Sequence, residues 1–396
     1  MKEKIKLFYI SRTSKFTGAE NILLDVVNNI DKKKFDPLVV IPDTKGFFYE
    51  KLKDSKINIM VIRMPFLRVT YNPFLILWFL INILIVNFRF YFIFKKSRTG
   101  IIVCHTIQEM VYVFLAVKVL RKKLIICFKN ILDRKWKKVI RARFCQLFVD
   151  RIIAVSGKAA EDFILYSSKP KRYESLTSVV HDSIDYYKYM ENFEQKDVFS
   201  KYFIKKEDDF IILNIGSITE LKGQLLLLEA ISSNRLIGLN LKVIFLGDIY
   251  HISDLKYKNK LLNFIERNKL KEKVFLTGYQ KDVKSFLNLS DILVHCPVID
   301  DALPRVILEG FIFNNIVIAT KVGGIPEMVI DGYNGFLCEV DKENLAEKIL
   351  YVYNNRKNLE YIKRNAIKTI KEDFSLKNQI KELENIYIEV INKNYE

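Results

Sequence analysis

Short aliphatic runs bounded by polar or turn-forming residues recur along the 396-residue chain. Runs of that length with those boundaries read as buried strands. In the first half they fall near residues 4–10, 37–41, 58–63, 101–104, 124–128 and 151–155. In the second half they fall near 210–215, 241–246, 273–277, 291–295 and 315–319. Between them the apolar positions take a helical period, as over 19–30, 224–231 and 376–392. Strand and helix in alternation imply parallel sheets with right-handed crossovers. The pattern predicts an α/β chain of two doubly wound domains facing each other across a cleft. The first covers 1–190 and the second 209–375, with the Lys-, Glu- and Asp-rich stretch 191–208 as the linker.

One apolar stretch departs from this pattern. Phe74 to Phe88 is almost entirely aliphatic and aromatic, Arg89 follows, and Phe90 to Phe94 continue the theme. Pro73 fits a first helical turn. The run falls short of the roughly 20 apolar residues that cross a bilayer, and Asn82, Asn87 and Arg89 interrupt it. A buried core helix, a helix dipping into a membrane surface and a true span all remain open. Aromatic and basic neighbours are what interfacial anchoring uses.

Charge sharpens the division. Residues 1–190 hold 35 Lys/Arg and 16 Asp/Glu, a net of +19, against 29 and 30, a net of −1, in the remainder. Clusters fall at 32–34, 95–96, 121–123 and 134–143. A basic first half suits anionic lipid or a phosphorylated substrate. Nucleic acid fits less well, because bulky aliphatics rather than stacking aromatics lie between the basic residues. The five cysteines form no C-x-x-C pair and fall in core-like segments, so buried free thiols in a reducing compartment are expected. Four scattered histidines offer no metal cluster. A strand beginning at Ile5 leaves no room for a signal peptide, which points to a cytoplasmic protein.

Candidate chemistry concentrates in the second half. Asp301-Ala302-Leu303-Pro304-Arg305-Val306-Ile307-Leu308-Glu309 places an acid on each side of a proline, between two predicted strands. Pro304 belongs in a first helical turn, so Asp301 sits in the preceding loop and Glu309 on the helix. Backbone N–H groups of the helix start then lie between two carboxylates. That combination suits a ligand carrying both phosphates and hydroxyls. Gly323-Gly324-Ile325-Pro326-Glu327 follows the next strand. Upstream, Gly216-Ser217-Ile218-Thr219-Glu220-Leu221-Lys222-Gly223 links a strand to a helix, where glycine admits a pyrophosphate and Lys222 supplies positive charge. Gly247-Asp248 and Gly278-Tyr279 suit a pocket floor or plain turns equally. In the first half, Thr17-Gly18-Ala19-Glu20 follows the first strand and His105 ends the fourth.

These motifs resemble family 4 of the retaining glycosyltransferases, with the GT-B fold, most strongly over residues 209–350. The family's acid–seven residues–Glu pattern matches Asp301 and Glu309, with Asp in place of the commoner Glu. Its Gly-x5-Lys-Gly matches Gly216 to Gly223, with Ser217 where many members carry Arg. Its Gly-Gly-x-Glu loop is similar to Thr17–Glu20, and its Asn-Gly-Ile-Asp turn to the segment around Asp182 and Asp185. The resemblance implies a hexosyltransferase that uses a nucleoside-diphosphate sugar without a metal. It implies donor-phosphate contacts at Gly18, Gly216, Ser217, Lys222 and Gly247, with Leu303 and Pro304 beside the nucleotide. Glu309 would take ribose hydroxyls, Asp301 sugar hydroxyls, and His105 would face the reacting sugar. Arg12 or Lys15 could supply the positive charge that Ser217 does not bring to the phosphates. The final segment, 376–396, would cross back to the first domain. The basic, apolar first half would meet a polyprenyl-diphosphate glycan or a glycolipid at the inner face of the plasma membrane. The Lys/Ile/Asn-rich composition suggests a bacterial chain acting in surface polysaccharide biosynthesis. Two rival readings are a catalytically silent partner subunit and an NDP-sugar 2-epimerase.

Overall fold

A computed structural model describes residues 4–15, 18–67, 70–97, 100–132, 134–191 and 193–392. The chain divides into two compact units, Met1–Asp182 with Leu376–Glu396, and Ser183–Ser375.

The first unit is built on seven strands among the described residues: β1 (Ile5–Ile10), β2 (Phe35–Ile41), β3 (Asn58–Val61), β4 (Gly100–Cys104), β5 (Lys123–Phe128), β6 (Arg151–Ala154) and β7 (Thr177–Val179). Their order is β3-β2-β1-β4-β5-β6-β7, and every pairing is parallel. Every residue of β4 is buried, as expected of a parallel sheet covered on both faces. The crossovers are α1 (Gly18–Asn29), α2 (Phe47–Asp54), α3 (Pro73–Lys95), α4 (Ile107–Val119), α5 (Lys135–Phe148), α6 (Gly157–Leu165) and α7 (Pro170–Leu176).

The second unit carries β8 (Phe210–Ile215), β9 (Leu241–Leu246), β10 (Val274–Gly278), β11 (Ile292–His295), β12 (Ile316–Thr320) and β13 (Phe336–Cys338). Their order is β10-β9-β8-β11-β12-β13, again all parallel. Its helices are α8 (Tyr186–Met190), α9 (Gln224–Ile231), α10 (Leu255–Arg267), α11 (Val283–Leu289), α12 (Arg305–Ile312), α13 (Lys342–Asn355) and α14 (Glu360–Glu372). The last helix, α15 (Leu376–Asn392), belongs to the first unit, where Tyr387 is buried with its hydroxyl 3.2 Å from that of Tyr9. In each sheet the strand order reverses once, at β1/β4 and at β8/β11. Loops leaving the carboxyl ends of those strand pairs diverge, which is where open α/β sheets bind ligands.

Three sequence expectations change. β7 and β13 are three residues each, too short for periodicity to reveal. The stretch 191–208 is part of the second unit rather than a free linker. Phe199 is 1% exposed there, and Phe203 stacks between Phe199 and Phe275, 5.4 and 4.8 Å away. Its charges hid an aromatic spacing. The core-helix reading of Phe74–Phe94 holds only for the end of α3, where Val86, Asn87, Phe90 and Phe94 are buried. No residue from Pro73 through Ile85 is buried. The five cysteines are free and buried, as their apolar settings indicated.

Candidate active site

The second unit assembles its charged groups at the β8/β11 reversal. The loop after β8 runs from Gly216 and ends at Gly223, which opens α9 with φ 68°. A Cβ on Gly223 would lie 1.9 Å from the Cys296 carbonyl oxygen, so only glycine lets this turn rest on the exit of β11. That close approach delivers Lys222 to the loop after β11. Its Nζ lies 2.5 Å from Asp301 Oδ2. His295, the last residue of β11, places Nε2 3.2 Å from the same oxygen.

The backbone of Asp301 is fixed from the other side. Gly323 has φ 59°, and a Cβ there would come within 2.0 Å of the Asp301 carbonyl oxygen. The Gly324 N–H donates to that oxygen at 2.8 Å, and the Gly323 N–H donates to Asp300 Oδ1 at 2.9 Å. The Gly323-Gly324 pair thus holds Asp301 in place.

Burial by itself would raise the Asp301 carboxyl. The His295 hydrogen bond and the Lys222 charge outweigh it, and the carboxyl titrates well below the usual carboxylate range. The His295 ring is driven below its ordinary value, first by burial and then by the Lys222 charge, against the pull of Asp301. At neutral pH the cluster is therefore a carboxylate, an ammonium and a neutral imidazole on one oxygen.

Pro304 is the residue before α12 rather than its first turn, with φ −72° and ψ 109°. The geometry still places Glu309 on that helix beyond the loop holding Asp301. Glu309 has partners of its own. Arg305 Nε lies 3.5 Å from Oε1, and the Tyr189 hydroxyl hydrogen-bonds to the carboxylate. Burial raises the Glu309 carboxyl, and Arg305, Tyr189 and Lys284 offset part of that rise. Lys222 and Asp301 are in direct contact, whereas Glu309 is held by a separate set of side chains.

Among the other residues expected near the donor, Gly247 meets the Gly216 loop backbone to backbone. A Cβ on it would lie 2.0 Å from the Gly216 carbonyl oxygen. The Ser217 carbonyl accepts from Gln224 Nε2 at 2.9 Å. Leu303 is half-buried and Pro304 buried.

Sequence reasoning did not pick out His295, Tyr189 or Arg305 as site residues. His295 left a readable signal, a polar residue at the end of an apolar strand six positions before Asp301. Arg305 sits inside the motif, one turn before Glu309. Tyr189 left none, since it comes from a distant short helix.

The first unit shows a parallel arrangement at its β1/β4 reversal. Glu109, in the first turn of α4, accepts the main-chain N–H of Arg12 at 3.3 Å, of His105 at 2.5 Å and of Thr106 at 2.9 Å. One carboxylate thus ties the loop after β1 to the loop after β4. Burial raises it to about 7 despite those three donors. The His105 ring nitrogens are shielded from solvent with no protein partner. The ring borders a cavity of about 30 Å³ that Lys129, Asp182 and Tyr387 also line. Burial, then the nearby Lys129 charge, lowers the ring to about 3. Arg12 donates from Nη1 to Gln108 Oε1 at 3.1 Å and lies over the Phe66 ring. Gly18 opens α1 with no atom within 4 Å of where a Cβ would be. Thr17 lies outside the described residues. Among the described residues no group of three or more His, Cys, Asp or Glu is placed to hold a metal ion.

Two doubly wound parallel sheets, each with polar groups at its strand-order reversal, define an α/β protein of the GT-B class. The chain belongs to the glycosyltransferases: residues 16–180 match the Glycosyltransferase Family 4 model and residues 195–369 match the model of Glycosyl transferases group 1. It is 32% identical over 195 residues to an uncharacterized glycosyltransferase, MJ1178, of Methanocaldococcus jannaschii, covering 48% of this chain and 52% of that protein. It is 26% identical over 220 residues to the UDP-Gal:alpha-D-GlcNAc-diphosphoundecaprenol alpha-1,3-galactosyltransferase of Escherichia coli, covering 54% and 55%. The matches thus span about half the length of these two curated relatives. Among solved structures, Anabaena Alr3699/HepE in complex with UDP and glucose has a TM-score of 0.79 at 20% identity, covering 96% of this chain and 99% of that one. That likeness is one of fold.

Proposed function

We propose that this protein is a retaining glycosyltransferase that moves a sugar from a nucleoside-diphosphate donor to a hydroxyl of a membrane-linked acceptor. The observation that carries the reading is Lys222 and His295 converging on Asp301 at the β8/β11 reversal. A carboxylate and an ammonium in one place answer the two demands of such a donor, acceptors for sugar hydroxyls and positive charge for phosphate.

In the reaction the bond between the anomeric carbon and the diphosphate oxygen breaks, and the diphosphate leaves with the electron pair. The acceptor oxygen bonds to the anomeric carbon, and its proton passes to the departing phosphate. Lys222 and loop N–H groups stabilise the leaving charge. Asp301 orients the sugar through its hydroxyls, and Glu309 takes those of the ribose. His105, kept neutral by burial, lies in the unit expected to bring the acceptor. No metal is required in this scheme. The E. coli relative's diphosphoundecaprenol acceptor and the basic first unit support a polyprenyl-diphosphate glycan or a glycolipid as acceptor.

A thermal-shift screen of sugar nucleotides tests the donor half, since a ligand of the folded state raises Tm by mass action. One donor should stabilise the protein and then transfer its sugar, with configuration kept and with EDTA present, to a polyprenyl-diphosphate sugar. Stabilisation without transfer to any acceptor would favour a silent partner subunit. Isomerised donor formed without acceptor would favour an epimerase.

A further inference from the structure

We infer that the amino-terminal part of α3, Pro73 to Asn82, is immersed in the hydrocarbon of one leaflet of an anionic bilayer without crossing it. This deepens the membrane-acceptor reading and rests on it for its purpose, while its geometry stands on α3 alone.

Four observations converge. The helix is apolar on every side of its first half. Phe74, Leu75, Ile76, Leu77 and Trp78 are consecutive and between 43% and 81% exposed. Five consecutive residues pass once around a helix of about 3.6 residues per turn. An in-plane amphipathic helix keeps a polar face toward water, and this one has none. A helix apolar all round belongs in a core or a membrane.

Part of the polarity at the start of the helix is met within the helix itself. Asn72 Oδ1 accepts the N–H groups of Phe74 and Leu75 at 3.0 and 3.3 Å. Asn82 Nδ2 donates to the Trp78 carbonyl at 2.8 Å. Hydrocarbon demands that economy, since it offers no hydrogen bonds.

The second half of α3 is committed to the fold. Asn87 donates to the Val111 carbonyl and accepts from the Leu115 N–H, both at 3.0 Å, and Phe90 and Phe94 are fully buried. Ile83 packs against the core of the unit, so only the ten residues Pro73 to Asn82 are free to enter lipid. At 1.5 Å per residue they reach about 15 Å, the depth of one leaflet and half of the roughly 30 Å hydrocarbon core. By length and composition alone the complete helix is long and apolar enough to cross a membrane. The anchoring of its second half is what excludes crossing.

Charge selects the occupant. Residues 62–148, from the loop before α3 through α5, hold seventeen Lys/Arg and two acids, Glu109 and Asp133. Glu109 is buried. Exposed Arg134, Lys135 and Trp136 open α5, and Arg89 follows the apolar half of α3. A second copy of this chain would bring like charge to like. An anionic lipid surface neutralises it.

The chain supplies its own probe. It has two tryptophans, Trp78 and Trp136. In the full-length Trp136→Phe variant, Trp78 is the sole tryptophan fluorophore. With vesicles containing phosphatidylglycerol, its emission should shift to the blue. Lipids brominated along the acyl chain should quench it several-fold more than lipids brominated only in the headgroup region. Phosphatidylcholine vesicles alone should bind far less. The native thiols are buried, so a Tyr71→Cys thiol at the inserted end reports alone: an impermeant maleimide should label it in the free protein and be excluded from it on vesicles. Binding without acyl-chain quenching would overturn the inference, as would labelling only by reagent trapped inside. A blue shift that needs no lipid and rises with protein concentration would assign the surface to self-association instead. Failure of every sugar nucleotide to bind would defeat the proposed function and leave these lipid readouts untouched.

Discussion

Replacing Lys222 by Met keeps the length of the side chain and removes its charge. Asp301 then loses the ammonium 2.5 Å from its Oδ2 and keeps only His295. A hydrogen bond between charged partners contributes about 1.5–3 kcal/mol, and the partial exposure of this pair favours the lower end. A loss of about 2 kcal/mol corresponds to a drop in Tm of roughly 4–8 °C for a unit of this size. The sharper readout is His295, whose ring is lowered partly by the Lys222 charge and raised by Asp301. Lys222→Met should therefore move its titration upward, and Asp301→Asn should move it further down. NMR of the His295 ring across pH 4 to 8, assigned by a His295→Gln control, measures both. The same Lys222→Met protein should bind its nucleotide donor roughly tenfold less tightly, because about 1.4 kcal/mol is tenfold in affinity. The effect stays modest because in the free protein Asp301 competes with phosphate for the ammonium. A His295 titration unchanged by both substitutions would refute the account of a shared oxygen.

Glu109→Ala should cost at least about 2 kcal/mol, since it strands up to three buried N–H donors at 1–3 kcal/mol each and removes only one ion; Glu109→Gln should cost less, and urea unfolding compares them. The Glu109 carboxyl is raised to about 7, so its protonated form favours the fold and its contribution falls as pH rises from about 4.5 to 7. Glu109→Gln should flatten that part of the stability profile. Asp301 carries the opposite sign: its lowered carboxyl stabilises the protein above the unfolded value and that stability is lost as pH falls through the folded value. The lowered His295 ring adds to the loss on acidification below its ordinary value, so Asp301→Asn should abolish the carboxylate part of that loss while deepening the His295 part, because without Asp301 the ring drops further. Gly323→Ala should lower Tm and weaken donor binding together, because its Cβ would sit 2.0 Å from the Asp301 carbonyl oxygen at φ 59°. Gly18→Ala, with nothing within 4 Å, should leave Tm within about 1 °C.

Eleven of the strands could be read from the sequence because aliphatic runs are long enough to carry a signal. β7 and β13 escaped it because three residues show no period. The meeting of Lys222 and Asp301 was readable because each follows a strand at one sheet reversal. The separate partners of Glu109 and Glu309 were not, because Arg12, Tyr189 and Lys284 reach them from elements far along the chain. The segment 191–208 misled through its charges, since the same stretch carries Phe199 into the core and packs Tyr202 and Phe203 against it. The α3 run misled in the opposite sense, because a sequence of apolar residues cannot say whether protein or lipid will cover them.

The most direct test of the central claim is calorimetric titration of a panel of UDP- and other nucleotide-sugars into the wild type, Lys222→Met and Asp301→Asn. One donor should bind the wild type, and both substitutions should weaken it at least severalfold, Asp301→Asn more for the full sugar nucleotide than for the bare diphosphate. Equal affinity in all three proteins would contradict the assignment of this cluster to the donor.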